Sequence, residues 1–138
     1  MNLNTCPASI DFTRKELLID WEDDAINSKQ TVKVKAGDKF VMGELVKLDS
    51  MDTDGLTPIV TKWAAGDDVY GIATCCADTT VLAADGVTPC NDSLCILRTH
   101  GKVRAGAIVW PAGIAAAAKA AATLFLREDR HIFVNQTV

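Results

Sequence analysis

Five cysteines and two histidines are the residues of this 138-residue chain best equipped for chemistry: Cys6, Cys75, Cys76, Cys90 and Cys95, with His100 and His131. Cys75, Cys76, Cys90 and Cys95 could supply four thiolates to zinc. Zinc ligands usually stand two to four residues apart within one turn, however. The pair "CC" has no spacer, and "CNDSLC" leads from a loop toward a strand. This spacing favours small, buried, apolar cysteines over a metal centre. An odd number leaves at least one thiol unpaired within a monomer. Without a secretory signal at "MNLNTCPASIDF", all five are expected reduced.

Neither histidine has the company that nucleophilic catalysis needs. His100 precedes a glycine in an apparent turn, His131 opens the last strand, and no serine sits in a nucleophile elbow. The run "SMDTDG" resembles half a calcium loop. With Gly55 at the sixth position, Asp52 and Asp54 fall at the third and fifth, but the first is Ser50 and the twelfth is Thr61 instead of glutamate. An Asp-Gly hairpin turn explains it better. "WEDD", Trp21 to Asp24, reads as a solvated acidic face, and no glycine-rich loop is built to cradle phosphate. The expectation is a protein that is not an enzyme and carries no metal or cofactor. The alternative from this chemistry is a small thiol- or zinc-dependent enzyme.

The totals agree with a binding or structural role. Fourteen basic residues stand against eighteen acidic ones, a net charge of −4, so bulk charge does not favour nucleic acid as a partner. The longest apolar run, Ala105 to Ala118, is interrupted by Gly106, Pro111 and Gly113 and is too short for a membrane span. One domain fits the length. Residues 1–30 differ from the rest: Ile10, Phe12, Leu17, Leu18, Ile19 and Trp21 are scattered among acids without a clean period, which reads as an arm that orders on docking. Residues 31–138 read as the folded domain.

That domain reads as mainly β, of the α+β class. "TVKVKAG" alternates Val32 and Val34 with Lys33 and Lys35, a half-buried strand ended by a glycine turn. "GELVKLD", "TPIVTKW", "VYGIATCCA", "TTVLAADG", "LCILR", "GKVR" and "HIFVN" follow as strands, with "TPCNDS" as a loop. The alanine-rich stretch after Trp110-Pro111 predicts a helix over 113–127, with Pro111 near its start and Ile114, Ala118, Ala121, Leu124 and Phe125 on its inward face.

The chain contains "VKAG" at 34–37 and "VRAG" at 103–106, and both glycines read as the same event, a strand end. The first copy, "VKAGDKFVMGELV", resembles the strand-turn-strand of biotinyl and lipoyl carrier domains, but the carrier lysine is missing. This suggests a local barrel or sandwich with Gly37 and Gly43 at corners.

Taken in order, residues 31–135 resemble the phage lambda-type head decoration proteins. The resemblance is carried by the strands around Gly37 and Gly43 and the strand entered through Gly71-Ile72. It continues with the turn at Gly101, the "IVWPAGI" step with Trp110 and Pro111 before an alanine-rich helix, and the closing strand with Ile132 and Val134. It implies a structural virion protein made in the bacterial host cytoplasm: a homotrimer on the outer surface of the expanded capsid, at three-fold sites. Its partner would be the major capsid protein, reached through the N-terminal arm, as a strand or as a helix. Another small β-rich virion part, from the tail or a head fibre, is the related alternative.

Overall fold

The computed structural model describes residues 18–21 and 28–135. The strands are β1 (Leu18–Trp21), β2 (Lys29–Val34), β3 (Lys39–Phe40), β4 (Leu45–Met51), β5 (Pro58–Lys62), β6 (Gly71–Ala73), β7 (Ala77–Leu82), β8 (Pro89–Asn91), β9 (Ser93–Leu97), β10 (Gly101–Arg104) and β11 (Ile132–Asn135). Among the described residues one α-helix, α1 (Ala116–Arg130), lies between the last two, after a 3₁₀ turn at Ala105–Ala107. The domain is mainly β with one late helix, as the pattern of short strands and turns predicts.

Five strands close a barrel in the order β2-β5-β4-β6-β9, and β9 returns antiparallel to β2. The alternation in β2 does what its spacing predicts. Val32 and Val34 point inward and are buried, while Thr31 is exposed and Lys33 half-exposed. Phe40, Val46, Val60, Ala73, Leu94 and Ile96 complete the barrel interior. Closure leaves these five strands little free edge, which guards them against edge-to-edge pairing.

A second core lies between the barrel and α1: Leu45, Trp63, Val69, Ile72, Leu97, Val103, Ile108, Ala122, Leu126 and Ile132. A three-stranded sheet, β1-β10-β11, belongs to this side, with β1 antiparallel and β11 parallel to β10. The third sheet, β3-β7-β8, is a hairpin with a short companion strand.

Several expectations need correction. The helix starts at Ala116 and not at 113, because Gly113 has φ +72°, a left-handed conformation no helix can contain. Pro111 therefore opens a turn, closed by Ile114 N–H to the Pro111 carbonyl at 3.3 Å, instead of the helix. The inward face of α1 is Ala122 and Leu126, flanked by Phe125; Ala121 and Leu124 face solvent. "TPCNDS" is not all loop, since Pro89–Asn91 pair with β7. The two V-K/R-A-G copies differ at the glycine: Gly37 has φ +93°, whereas Gly106 sits inside a 3₁₀ turn, Ala105–Ala107, without positive φ. Cys75 and Cys76 occupy a bend between β6 and β7 instead of a strand.

The residues read as an arm divide. Ile10, Phe12 and Leu17 lie outside the described residues. Leu18, Ile19 and Trp21 form β1, with Leu18 opposite Val103 and Trp21 opposite Gly101. Lys29 and Gln30 already belong to β2, and Ser28 is buried, its carbonyl accepting from Arg98 N–H at 2.7 Å.

Candidate docking surfaces

The signature residues hold the barrel to the helix side. Gly43 has φ +95°, and the place where a side chain would start is taken by the Ala107 carbonyl. Its own carbonyl accepts from Val109 N–H at 3.0 Å, and the next residue, Glu44, bridges to Val109. This contact draws the segment 105–111 against the start of β4. Gly71, on β6, is equally constrained, because a Cβ would stand 2.7 Å from the Leu97 carbonyl oxygen. Ile72 and Ile132 are fully buried in the helix-side core, Val134 packs on it partly, and Gly101 begins β10 against the Leu97 side chain. Gly37, with open space around it, closes the turn after β2 and donates its N–H to Thr79 Oγ1 at 2.9 Å.

Trp110 is half-buried and meets Trp63 edge to face, with ring centroids 6.1 Å apart and 65° between planes. The Trp63 indole N–H donates to the Asp67 carbonyl at 2.7 Å, which fixes that ring. Together with Leu45, Val109 and Pro111 the two rings line a shallow pocket of 180 Å³. The Lys62–Glu44 ion pair, 2.6 Å, stands at its rim. Lys119 of α1 lies 6.0 Å over the Trp110 ring.

The outward face of α1 carries an apolar stripe over its first two and a half turns. Ala117, Ala120, Ala121 and Leu124 are spaced three and four apart and exposed, with Leu124 58% exposed. Glu128 continues this face, while Arg127 turns toward Phe133 of β11 at 5.8 Å. A surface helix of this length usually turns charged residues outward.

Sequence periodicity passes over two hairpin tips. Asp54-Gly55-Leu56-Thr57-Pro58 joins β4 to β5, and Asp85-Gly86-Val87-Thr88-Pro89 joins β7 to β8. Their hydrogen bonds match atom for atom. Asp54 Oδ1 accepts from the N–H groups of Leu56 and Thr57 at 2.8 and 2.9 Å, and Oδ2 accepts from the Thr57 hydroxyl at 2.8 Å. Asp85 Oδ1 accepts from Val87 and Thr88 at 2.9 and 2.8 Å, and Oδ2 from the Thr88 hydroxyl at 2.6 Å. Gly55 and Gly86 have φ +70° and +71°. The Thr88 hydroxyl, with the Thr88 and Val87 N–H groups, pulls the Asp85 carboxyl down to about 2. The Leu56 and Thr57 N–H groups and the Thr57 hydroxyl lower Asp54 likewise. The signal that finds these tips is the five-residue match itself, DGLTP and DGVTP.

Cys75 Sγ accepts from the Cys95 N–H at 3.3 Å, while Cys90 is exposed on β8. Among the described residues no group of three His, Cys, Asp or Glu side chains is arranged to hold a metal ion. His100 and His131 both adopt left-handed backbone, φ +54° and +56°, and their rings stack at 5.0 Å. His131 ends α1, and His100 N–H donates to the Arg130 carbonyl at 3.0 Å, so the pair joins the helix end to the turn before β10. Nearby, the Arg98 guanidinium lies 4.0 Å over the Tyr70 ring. Burial, and then the closeness of Arg98, lower the pKa of Arg130, whose Nε–H donates to the Val69 carbonyl at 3.0 Å.

No family model matches the chain, and no curated protein matches it.

Proposed function

We propose that the chain is a non-enzymatic structural protein of a phage head. In this reading it is a homotrimer that binds the outer surface of the expanded capsid at three-fold sites and cements it. The observation that carries the reading is the outward face of α1. Ala117, Ala120, Ala121 and Leu124 present an apolar stripe that no other described residue covers, and such a stripe favours burial against a neighbouring subunit. Two further features agree with it. The residues that carry the resemblance to lambda-type decoration proteins, among them Gly43, Gly71, Ile72, Trp110 and Ile132, hold the barrel and the helix side together. β1 is an edge strand, hydrogen-bonded only to β10 among the described strands. In this reading the N-terminal arm would dock on the major capsid protein. Three protomers on one axis multiply weak contacts into firm attachment without new chemistry.

The test is direct. Light scattering should give three times the protomer mass. Co-sedimentation should show saturable binding to expanded heads and little to unexpanded ones. A protein that stays monomeric and ignores both kinds of head overturns the reading. A tail part built on a similar domain would bind tails instead.

A further inference from the structure

The start of β2, the end of β9 and the end of α1 meet at one place. Lys29 pairs with Leu97 and Gln30 with Ile96. The Ser28 carbonyl accepts from the N–H groups of Arg98 and Thr99, at 2.7 and 3.2 Å, and the Arg130 carbonyl accepts from His100 N–H at 3.0 Å. Lys29, Gln30, Arg98, Thr99 and Arg130 line a pocket of 420 Å³ there, and none of these residues is acidic.

Two arginines meet at this pocket without an acid to answer them. Arg98 lies 4.0 Å over the Tyr70 ring, a contact that engages the face of the guanidinium and none of its N–H groups. Its Nη1 is buried and has no hydrogen-bond partner. A buried guanidinium nitrogen in that state is costly and uncommon. Arg130 is held by Nε–H to the Val69 carbonyl at 3.0 Å, which leaves its terminal nitrogens as further donors. Neither arginine has an ion-pair partner among the described residues. Asp129 and Asp68 act on Arg130 only from a distance, and Arg98 opposes its charge more strongly than either supports it. Gln30 adds polarity of the same sense. Its Oε1 accepts from the Tyr70 hydroxyl at 3.3 Å, so its amide N–H groups are the donors it brings to the pocket.

We propose that this pocket binds a doubly charged phosphate group, free or as the phosphate of a small phosphomonoester, between the Arg98 and Arg130 guanidiniums, with the Gln30 amide as a further donor. The inference stands whether or not the chain is a head protein. Charge and shape select the ligand. A dianion answers two guanidiniums at once, whereas one carboxylate leaves a cation uncompensated. Phosphate oxygens also match the planar donor fork of arginine. The pocket is larger than phosphate alone fills, so a small substituent has room beside it. Nucleic acid suits the site less, because its phosphates are singly charged diesters and the chain carries a net charge of −4.

The experiment is isothermal titration of the full chain, at constant ionic strength, with inorganic phosphate, glycerol 3-phosphate and acetate. Phosphate should bind with a Kd of about 1 mM or tighter, and acetate about tenfold more weakly. Arg98→Lys keeps the charge and loses the fork, and it should weaken phosphate binding about tenfold, as should Arg130→Gln. Circular dichroism checks that both variants fold. A second readout needs no variant: in wild type the Arg98 and Arg130 Nε–H resonances should shift with phosphate at the calorimetric Kd. Tighter binding of glycerol 3-phosphate than of phosphate supports the site and assigns it to a phosphomonoester; the reverse supports it and assigns it to free phosphate. No phosphate binding up to about 20 mM overturns the proposal. Acetate binding as tightly as phosphate overturns it too, since the pocket would then suit a single carboxylate, such as an acidic side chain of a partner. So does phosphate binding that leaves both arginine resonances unmoved.

Discussion

Gly43 and Ala107 touch backbone to backbone: the Ala107 carbonyl occupies the space that a side chain on Gly43 would need, and Gly43 has φ +95°. Gly43→Ala should therefore cost about 3 kcal/mol, combining left-handed strain with displacement of the segment 105–109. Gly66→Ala is the control. It has φ +96° with nothing within 4 Å of the new methyl, so it should cost only about 1 kcal/mol. Urea unfolding at fixed protein concentration compares them, and equal costs would show that the close approach does not matter.

The two neighbouring classes of position on α1 should separate cleanly. Leu126 is fully buried beside Ile132 and Val103, so Leu126→Ala should cost about 3 kcal/mol. Leu124→Ser should change the unfolding of the protomer by less than about 0.5 kcal/mol. In the trimer reading it should nevertheless lower the oligomer mass at micromolar concentration. A Leu124 variant that unfolds as readily as the Leu126 one would reverse the orientation of the helix.

The hairpin cages set a pH dependence. Asp85 has its carboxyl pulled to about 2 in the folded chain, below the ordinary value of 3.8. A depressed acid stabilises the folded form above its unfolded pKa and loses that contribution as pH falls through the folded one. The second tip should thus hold above about pH 4 and loosen toward pH 2. The amide resonances of Val87 and Thr88 should titrate near 2 in the wild type and show no such step in Asp85→Asn. A midpoint near 4 would mean the cage is absent in solution.

His131 closes α1 in a left-handed conformation, φ 56° and ψ 36°, where glycine is the usual residue. His131→Gly should stabilise the fold by about 0.5–1 kcal/mol if backbone strain outweighs the stack on His100. Thermal unfolding decides it: a lower melting temperature would give the weight to the ring contact, 5.0 Å between centroids.

Strand identity was legible wherever apolar and polar residues alternate, as in Val32-Lys33-Val34, because burial on one face imposes period two. The position of α1 was not, because a run of alanines gives no contrast between its faces. Only packing on Ile132 and Val103 chooses Ala122 and Leu126 over Ala121 and Leu124. β8 was hidden for a different reason. Pro89, Cys90 and Asn91 carry little strand propensity, and pairing with β7 decides their conformation. The glycines of the signature could be picked out as turns, but the neighbours that make them necessary, Ala107 for Gly43 and Leu97 for Gly71, are distant in sequence. Of the surfaces, the twin tips were written plainly in the chain as DGLTP and DGVTP, while the shorter likeness of VKAG and VRAG joins two backbones that differ.

The seam between β2 and β9 also governs how the protein can be made. Lys29 pairs with Leu97, so the ring of strands closes across 97 − 29 = 68 residues of chain. Bringing those ends together costs roughly 4 kcal/mol of loop entropy. A nascent chain emerging from the ribosome can form the β4–β5 hairpin early, but it has no ninth strand to complete the circle until residue 97 is released. Folding speed should accordingly be set at the β2–β9 seam, and stopped-flow refolding should slow more for Leu94→Ala, on the seam, than for Leu126→Ala in the later helix.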